Sequence, residues 1–250
     1  MKIRVLASLL ATVASFSSPA MAEAPGSQAA NLCAMSMSNT AYEVWPGVPA
    51  LKVGRFVNPA AKLQLLTLNI NEIYSVCYQP GWSLNNSEQP AGHSFRASAG
   101  PFPGGVPVMR MRHKTKGQFF FTSNQEEYNS LLNYQSATWQ PEGVAFYVPK
   151  PPNATRGVQD YPLTCLTLPP GSLLKNCLVG RPVAGTGIVP VYRFYSAVNG
   201  HLYSANDQEA AELDRNKATN GYNFEGVAFW AFAPQAMVES PILPSWWPNP

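Results

Sequence analysis

The sequence carries little charge. Asp, Glu, Lys and Arg together make up 12 % of its 250 residues, about half the usual share. Lys2 and Arg4 fall in the leader described below, and no acid does, so 17 basic and 14 acidic residues become 15 and 14, a net +1. A near-neutral chain lacks the basic surface that phosphate contacts demand, which excludes nucleic acid as a partner. Histidine is scarce as well: His93, His113 and His201 stand far apart, with no Cys or Asp beside His201. No C-x-x-C spacing accompanies them, so neither a metal nor any other cofactor is expected. There is no G-x-S-x-G, no H-E-x-x-H and no Gly-rich phosphate loop, which removes nucleophile-elbow hydrolases, zinc peptidases and P-loop NTPases from consideration. After the first 22 residues no apolar run reaches the length of about 20 that a membrane-spanning helix needs.

What is present begins at the N-terminus. Lys2 and Arg4 precede a nearly apolar run from Val5 to Phe16, broken by Ser17, Ser18 and Pro19 and followed by Ala20-Met21-Ala22. This order of positive, apolar and small residues predicts a signal peptide over 1–22 and a mature chain that starts near Glu23, periplasmic or secreted. The competing reading is a buried N-terminal strand or helix. No Cys follows the cleavage site, so a lipoprotein anchor is not indicated. Export favours oxidised cysteines, and Cys33, Cys77, Cys165 and Cys177 allow three connectivities. Cys33–Cys77 and Cys165–Cys177 are favoured, because Pro169, Pro170 and Gly171 let the second loop return on itself.

The strongest internal signal is self-similarity. Val106-Pro107-Val108-Met109-Arg110-Met111 reads like Val189-Pro190-Val191-Tyr192-Arg193-Phe194, an offset of 189 − 106 = 83. At the same offset Gly117 meets Gly200, Gln125-Glu126 meets Gln208-Glu209, and Glu142-Gly-Val-Ala-Phe146 meets Glu225-Gly-Val-Ala-Phe229, with no gap required. Each copy reads as strand, strand, helix, strand. Ser123-x-x-Glu126 and Asn206-x-x-Glu209 supply capping boxes for the helix, and Tyr128, Leu131 and Leu132 fall at helical spacing. A weaker third copy lies upstream, where Arg55-Phe56 resembles Arg193-Phe194 and Gly81-Trp82 resembles Gly221-Tyr222. The layout is therefore an N-terminal region (23–105) with this degenerate copy, a copy over 106–149, a Pro/Gly-rich connector with a cysteine pair (150–188), a copy over 189–234, and a Pro/Trp-rich tail (235–250).

Val191-Tyr-Arg-Phe-Tyr195, Gly200-His-Leu-Tyr203 and Tyr222-x-x-Glu225-Gly-Val-Ala-Phe-Trp230 resemble a repeat family of unknown function, common in exported bacterial proteins and often attached to cell-wall or polysaccharide hydrolases. The resemblance covers somewhat under half of the chain. The copy over 106–149 departs from the pattern, with Gln118 in place of the His and Met111 in place of an aromatic. The resemblance implies an extracytoplasmic accessory module that binds carbohydrate or a surface. It supplies no catalytic residues.

Glu142 and Glu225 suggest a two-carboxylate glycosidase, but such an enzyme needs one carboxyl protonated and one ionised. Equivalent places in equivalent units give equivalent surroundings. The economical reading is structural: Arg110 pairs with Glu142 and Arg193 with Glu225. His201, Tyr203, Tyr222 and Trp230 in one copy and Phe120 and Trp139 in the other are the candidate ligand-binding side chains, since sugar sites stack on such rings. The same rings also suit the core of a β-rich fold, and at least half of them must be core. The expectation is a β-rich α+β fold of repeated units about a pseudo-symmetry axis, trefoil-like or a small closed sheet, with a stack of separate domains as the alternative. Its expected function is non-catalytic binding of a cell-envelope or environmental glycan. The alternative is a structural or protein-interaction module of the envelope, and a hydrolase ranks below both.

Overall fold

The computed structural model describes residues 47–85, 95–150 and 187–233, together with Cys33 and the backbone of Tyr42–Trp45. The leader over 1–22, Cys165, Cys177, most of the connector and the C-terminal tail lie outside the described residues. The elements run β1 (Tyr42–Trp45), β2 (Val48–Lys52), β3 (Gly54–Asn58), β4 (Leu63–Thr67), α1 (Ile70–Cys77), β5 (Ser83–Leu84), β6 (Arg96–Ala97), β7 (Gly105–His113), β8 (Phe119–Thr122), α2 (Gln125–Tyr134), β9 (Trp139–Pro149), β10 (Ile188–Ser196), β11 (Gly200–Ser204), α3 (Asp207–Arg215), α4 (Lys217–Asn220) and β12 (Asn223–Phe232). The fold is β-rich, with short helices between strands. Its strands form three antiparallel sheets, ordered β4-β3-β5, β8-β7-β9 and β1-β2-β6-β12-β10-β11. Among the described residues these sheets do not close into a barrel, which corrects the expectation of a small closed sheet. No helix of the described residues is long and apolar enough to cross a membrane.

The helices begin in one way. Asn69, Asn124 and Asn206 each accept hydrogen bonds from the N–H groups two and three residues on, as N-caps do. The hydroxyl two residues before each cap, on Thr67, Thr122 or Ser204, accepts from the cap's own N–H at 2.9, 3.0 and 3.1 Å. A Thr/Ser-x-Asn-x-x-Glu sequence therefore fixes each strand-to-helix corner, with Glu72, Glu127 and Glu209 in the first turn. This corrects the expected box at Ser123: the cap is Asn124, and the Ser123 hydroxyl instead donates to the Ala228 carbonyl.

The gap-free alignment is corrected with it. β7 pairs Arg110 with Phe121, and β10 pairs Arg193 with Tyr203. The offset on the second strand is thus 203 − 121 = 82, not 83. The turn between β7 and β8 is one residue longer than that between β10 and β11. The residue is recovered beyond the helix, where Arg110 faces Gly143 and Arg193 faces Gly226, at 83 again.

The main core joins all the sheets. Phe56, Leu66, Phe121, Phe146, Tyr203 and Phe229 are buried within it, with Ile73 of α1 and Val191 of β10. A Cys33–Cys77 disulfide ties the end of α1 to the N-terminal segment.

Candidate functional site

The site grows from a backbone irregularity. β7 and β9 slip register around Arg110, and β10 and β12 around Arg193. Gly143 and Gly226 sit at those slips with φ of 87° and 115°, a conformation that side chains disfavour although open space surrounds both positions. A bulge of this kind re-aims its neighbour. Glu142 Oε2 lies 2.7 Å from Arg110 Nε, and Glu225 Oε2 lies 2.7 Å from Arg193 Nε. Each arginine also reaches the first-turn glutamate of another helix. Arg110 Nη1 donates to Glu72 at 2.8 Å, while Arg193 grips Glu127 through both terminal nitrogens, at 3.0 and 2.7 Å. Arg55 completes the set by donating to Glu209 at 2.9 Å. Its Nε and Nη1 are buried and have no hydrogen-bond partner among the described residues.

Around Arg193 these contacts leave a cavity of about 340 Å³. The guanidinium carbon of Arg193 stands 4.9 Å from the centre of the Phe120 ring. Phe120 meets His201 edge-on at 4.9 Å and Trp139 at 5.8 Å, and Tyr195 lies 4.9 Å from His201. Gln118, Gln135, Thr138, His113 and Lys116 complete the wall with amides, a hydroxyl and two titratable groups. Tyr195, 37 % exposed, offers the most accessible large ring of the set, whereas Trp139 is 8 % exposed.

The electrostatics hold the floor ionised. Burial raises the Glu127 carboxyl, but the hydrogen bonds from Arg193 and Thr122 outweigh it and leave the group below its ordinary range. Burial works against the charge on Arg193, yet Glu127 and Glu225 raise its pKa further above normal. Burial, with Arg193 close by, pulls His201 down to about 4, so its ring is neutral near pH 7. His201 Nδ1 is buried with no hydrogen-bond partner among the described residues, and Nε2 is 3.6 Å from Glu225 Oε2. Burial followed by Lys116 lowers the pKa of His113. Among the described residues no cluster of His, Cys, Asp and Glu has the arrangement of a metal site.

The sequence-predicted residues divide between this cavity and the core. Phe120, Trp139, His201, Arg193 and Glu225 line the cavity together. Tyr203, 1 % exposed, lies in the core, where its hydroxyl accepts from the Phe121 N–H at 2.7 Å and faces the Phe121 carbonyl at 3.1 Å. Trp230 is buried in β12. Tyr222 borders a different cavity. Arg110 and Glu142 form their ion pair at the neighbouring hairpin, away from the cavity wall. Sequence reasoning misses Glu127, because the expected box puts the capping glutamate one residue early, and misses Gln135 and Thr138; it names Tyr195 only among the aromatics of the repeat and Gln118 only as the residue in place of the His. The triplet of Asn-x-x-Glu helix starts was the signal that marked Glu127.

A family model described as Domain of unknown function (DUF5648) matches residues 52–164 and 179–246. The chain belongs to that family. Comparison with curated proteins and with solved structures gives no match. The matched span contains every side chain of the cavity described above.

Proposed function

We propose that the chain is an exported, non-catalytic module that binds a cell-envelope or environmental glycan in the cavity between α2–β9 and β10–β11. The observation that carries this reading is the combination of Trp139, Phe120 and Tyr195 with the fixed ionic set Arg193–Glu127–Glu225 and the amides Gln118 and Gln135. Apolar ring faces beside a few oriented polar groups suit a sugar, which presents C–H faces and hydroxyl edges. The volume stands at the lower end of small-ligand sites, a fit to one or two sugar rings.

The carboxylates argue against hydrolysis. Glu127 and Glu225 share one arginine, so neither is set apart as a proton donor. The leader-like N-terminus supports a periplasmic or secreted location. We also infer that β3–β4–α1–β5, β7–β8–α2–β9 and β10–β11–α3–β12 descend from one unit. They share element order, corner sequence and arginine position, in the cyclic manner of a trefoil.

A binding screen of the mature protein against chito-oligosaccharides, cello-oligosaccharides and soluble peptidoglycan fragments tests the reading. Retention of one class, abolished by Tyr195→Ala with an unchanged melting temperature, is the expected result. No retention of any sugar, together with stoichiometric co-purification of an envelope protein, replaces it with the interaction-module reading.

A further inference from the structure

A second cavity, of about 290 Å³, lies between the β3–β4 and β10–β11 hairpins and is bordered by Tyr222, Leu202, Asn199, Asn58, Lys62 and Gln64. Strand register relates it to the first. β10 and β11 pair Tyr195 with His201, and β3 and β4 pair Val57 with Gln64 at the corresponding rung. Phe120 and Leu202 match in the same way, opposite Met111 and Phe194. Trp139 and Tyr222 each stand three residues before the glutamate that an arginine holds. In the first cavity Trp139 and Phe120 face Tyr195 and His201. In the second, Tyr222 and Leu202 face Val57 and Gln64. The ion pairs follow the same order, with Arg193–Glu127 beside the first and Arg55–Glu209 across the second junction.

The geometry points to a second ligand site in this cavity, for a neutral sugar ring of the class taken by the first, so that one chain binds such a ligand twice. This inference rests on the glycan reading above. The Tyr222 ring supplies the stacking face, and the Asn58 and Asn199 amides with the Lys62 amine supply polar contacts. Among the described residues no carboxylate lines it, so an uncharged ligand fits better than a cation. Leu202 and Val57 replace two aromatic faces, which makes this the weaker site. The two cavities share a wall, since His201 borders both.

The test is a ¹⁵N-resolved NMR titration of the mature protein with N,N′-diacetylchitobiose and, separately, with cellobiose. The expected result is two sets of amide shifts. Gln118, Gln135 and Thr138 move first, and Asn58, Leu63 and Asn199 move at a concentration about ten times higher, as a loss of aromatic contact worth one decade of affinity predicts. Tyr195→Ala removes the first set and spares the second. Tyr222→Ser removes the second and spares the first. Lys62→Gly provides a variant that cannot fail through backbone strain, because Lys62 already holds φ at 57°; it weakens the second set by several-fold. Shifts at the first cavity alone, up to saturation, overturn the second site and leave the glycan reading standing. Shifts at neither cavity with both sugars overturn both.

Discussion

Arg193 and Arg55 stand at matching rungs of their hairpins and live differently. Arg193 binds two glutamates through three nitrogens and borders an open cavity. Arg55 is almost wholly buried, holds one glutamate, and has Asn85 where the other hairpins have Glu142 and Glu225. The Asn85 N–H donates to the Arg55 carbonyl, so the strand pairing survives while the second carboxylate is gone. The contrast teaches that pairing and charge separate cleanly in this fold. Backbone register sets where the arginine stands, and the residue three after the ring sets how its charge is met. With two carboxylates the arginine can sit at a ligand-accessible wall. Arg55 has one and is nevertheless buried, with Nε and Nη1 unpartnered among the described residues, an arrangement that costs stability.

The comparison can be broken at several points. Arg193→Met should have the largest effect, a loss of about 3–5 kcal/mol in urea unfolding, because it strands Glu127 and Glu225 together without their cation. A loss under about 1 kcal/mol would show that the pair network contributes little to the fold. The second effect is on pH. His201 stays neutral in the folded protein down to about pH 4, whereas an unfolded histidine takes up its proton near 6.5. Between those values the unfolded chain binds more protons, so this contribution is full above about pH 6.5 and is lost as pH falls towards 4, by roughly 3 kcal/mol in all. His201→Asn should flatten that slope between pH 6.5 and 4.5, above the range in which carboxylates such as Glu127 titrate. An unchanged slope would mean that the ring is charged or solvated in the folded state.

Smaller effects sharpen the contrast. Asn85→Glu should add about 1 kcal/mol by giving Arg55 Nε the acceptor that its counterparts have. A lower melting temperature instead would show that the buried Arg55 site cannot admit a second carboxylate, and that the correspondence of hairpins fails there. Asn124→Ala should cost about 1 kcal/mol as a lost N-cap. Ser123→Ala should cost less than half of that, since this hydroxyl serves one carbonyl and no helix start. Equal costs would restore the alignment without gaps.

Much of the fold was legible because it is local. The Val-Pro-Val-x-Arg strands, the Glu-Gly-Val-Ala-Phe strands and the helices between them follow from alternation, capping residues and turn glycines. So did the two in-strand ion pairs, since a repeated Arg and a repeated Glu in neighbouring strands ask for each other. What escaped the sequence is what a one-residue change in turn length hides. The extra residue before Phe119 moved the second strand and the cap by one, and with it the glutamate that reaches across to Arg193. Exposure escaped as well. Tyr203 and Tyr195 are both tyrosines one residue before the end of a strand, and nothing in their spacing tells that one ring is core and the other rim. Face is decided by sheet packing, which joins residues far apart in the chain.

The Arg55–Glu209 contact spans 154 positions of sequence. A chain emerging from its N-terminus carries a guanidinium whose carboxylate partner does not exist until α3 is made. Burial of the arginine beside its carboxylate therefore requires a chain made at least as far as Glu209. Moving the point where the chain is cut should therefore matter less than removing its end: a circular permutant opened within 151–186 keeps the Arg110–Glu72, Arg193–Glu127 and Arg55–Glu209 pairs, while a truncation before Glu209 leaves Arg55 without its carboxylate.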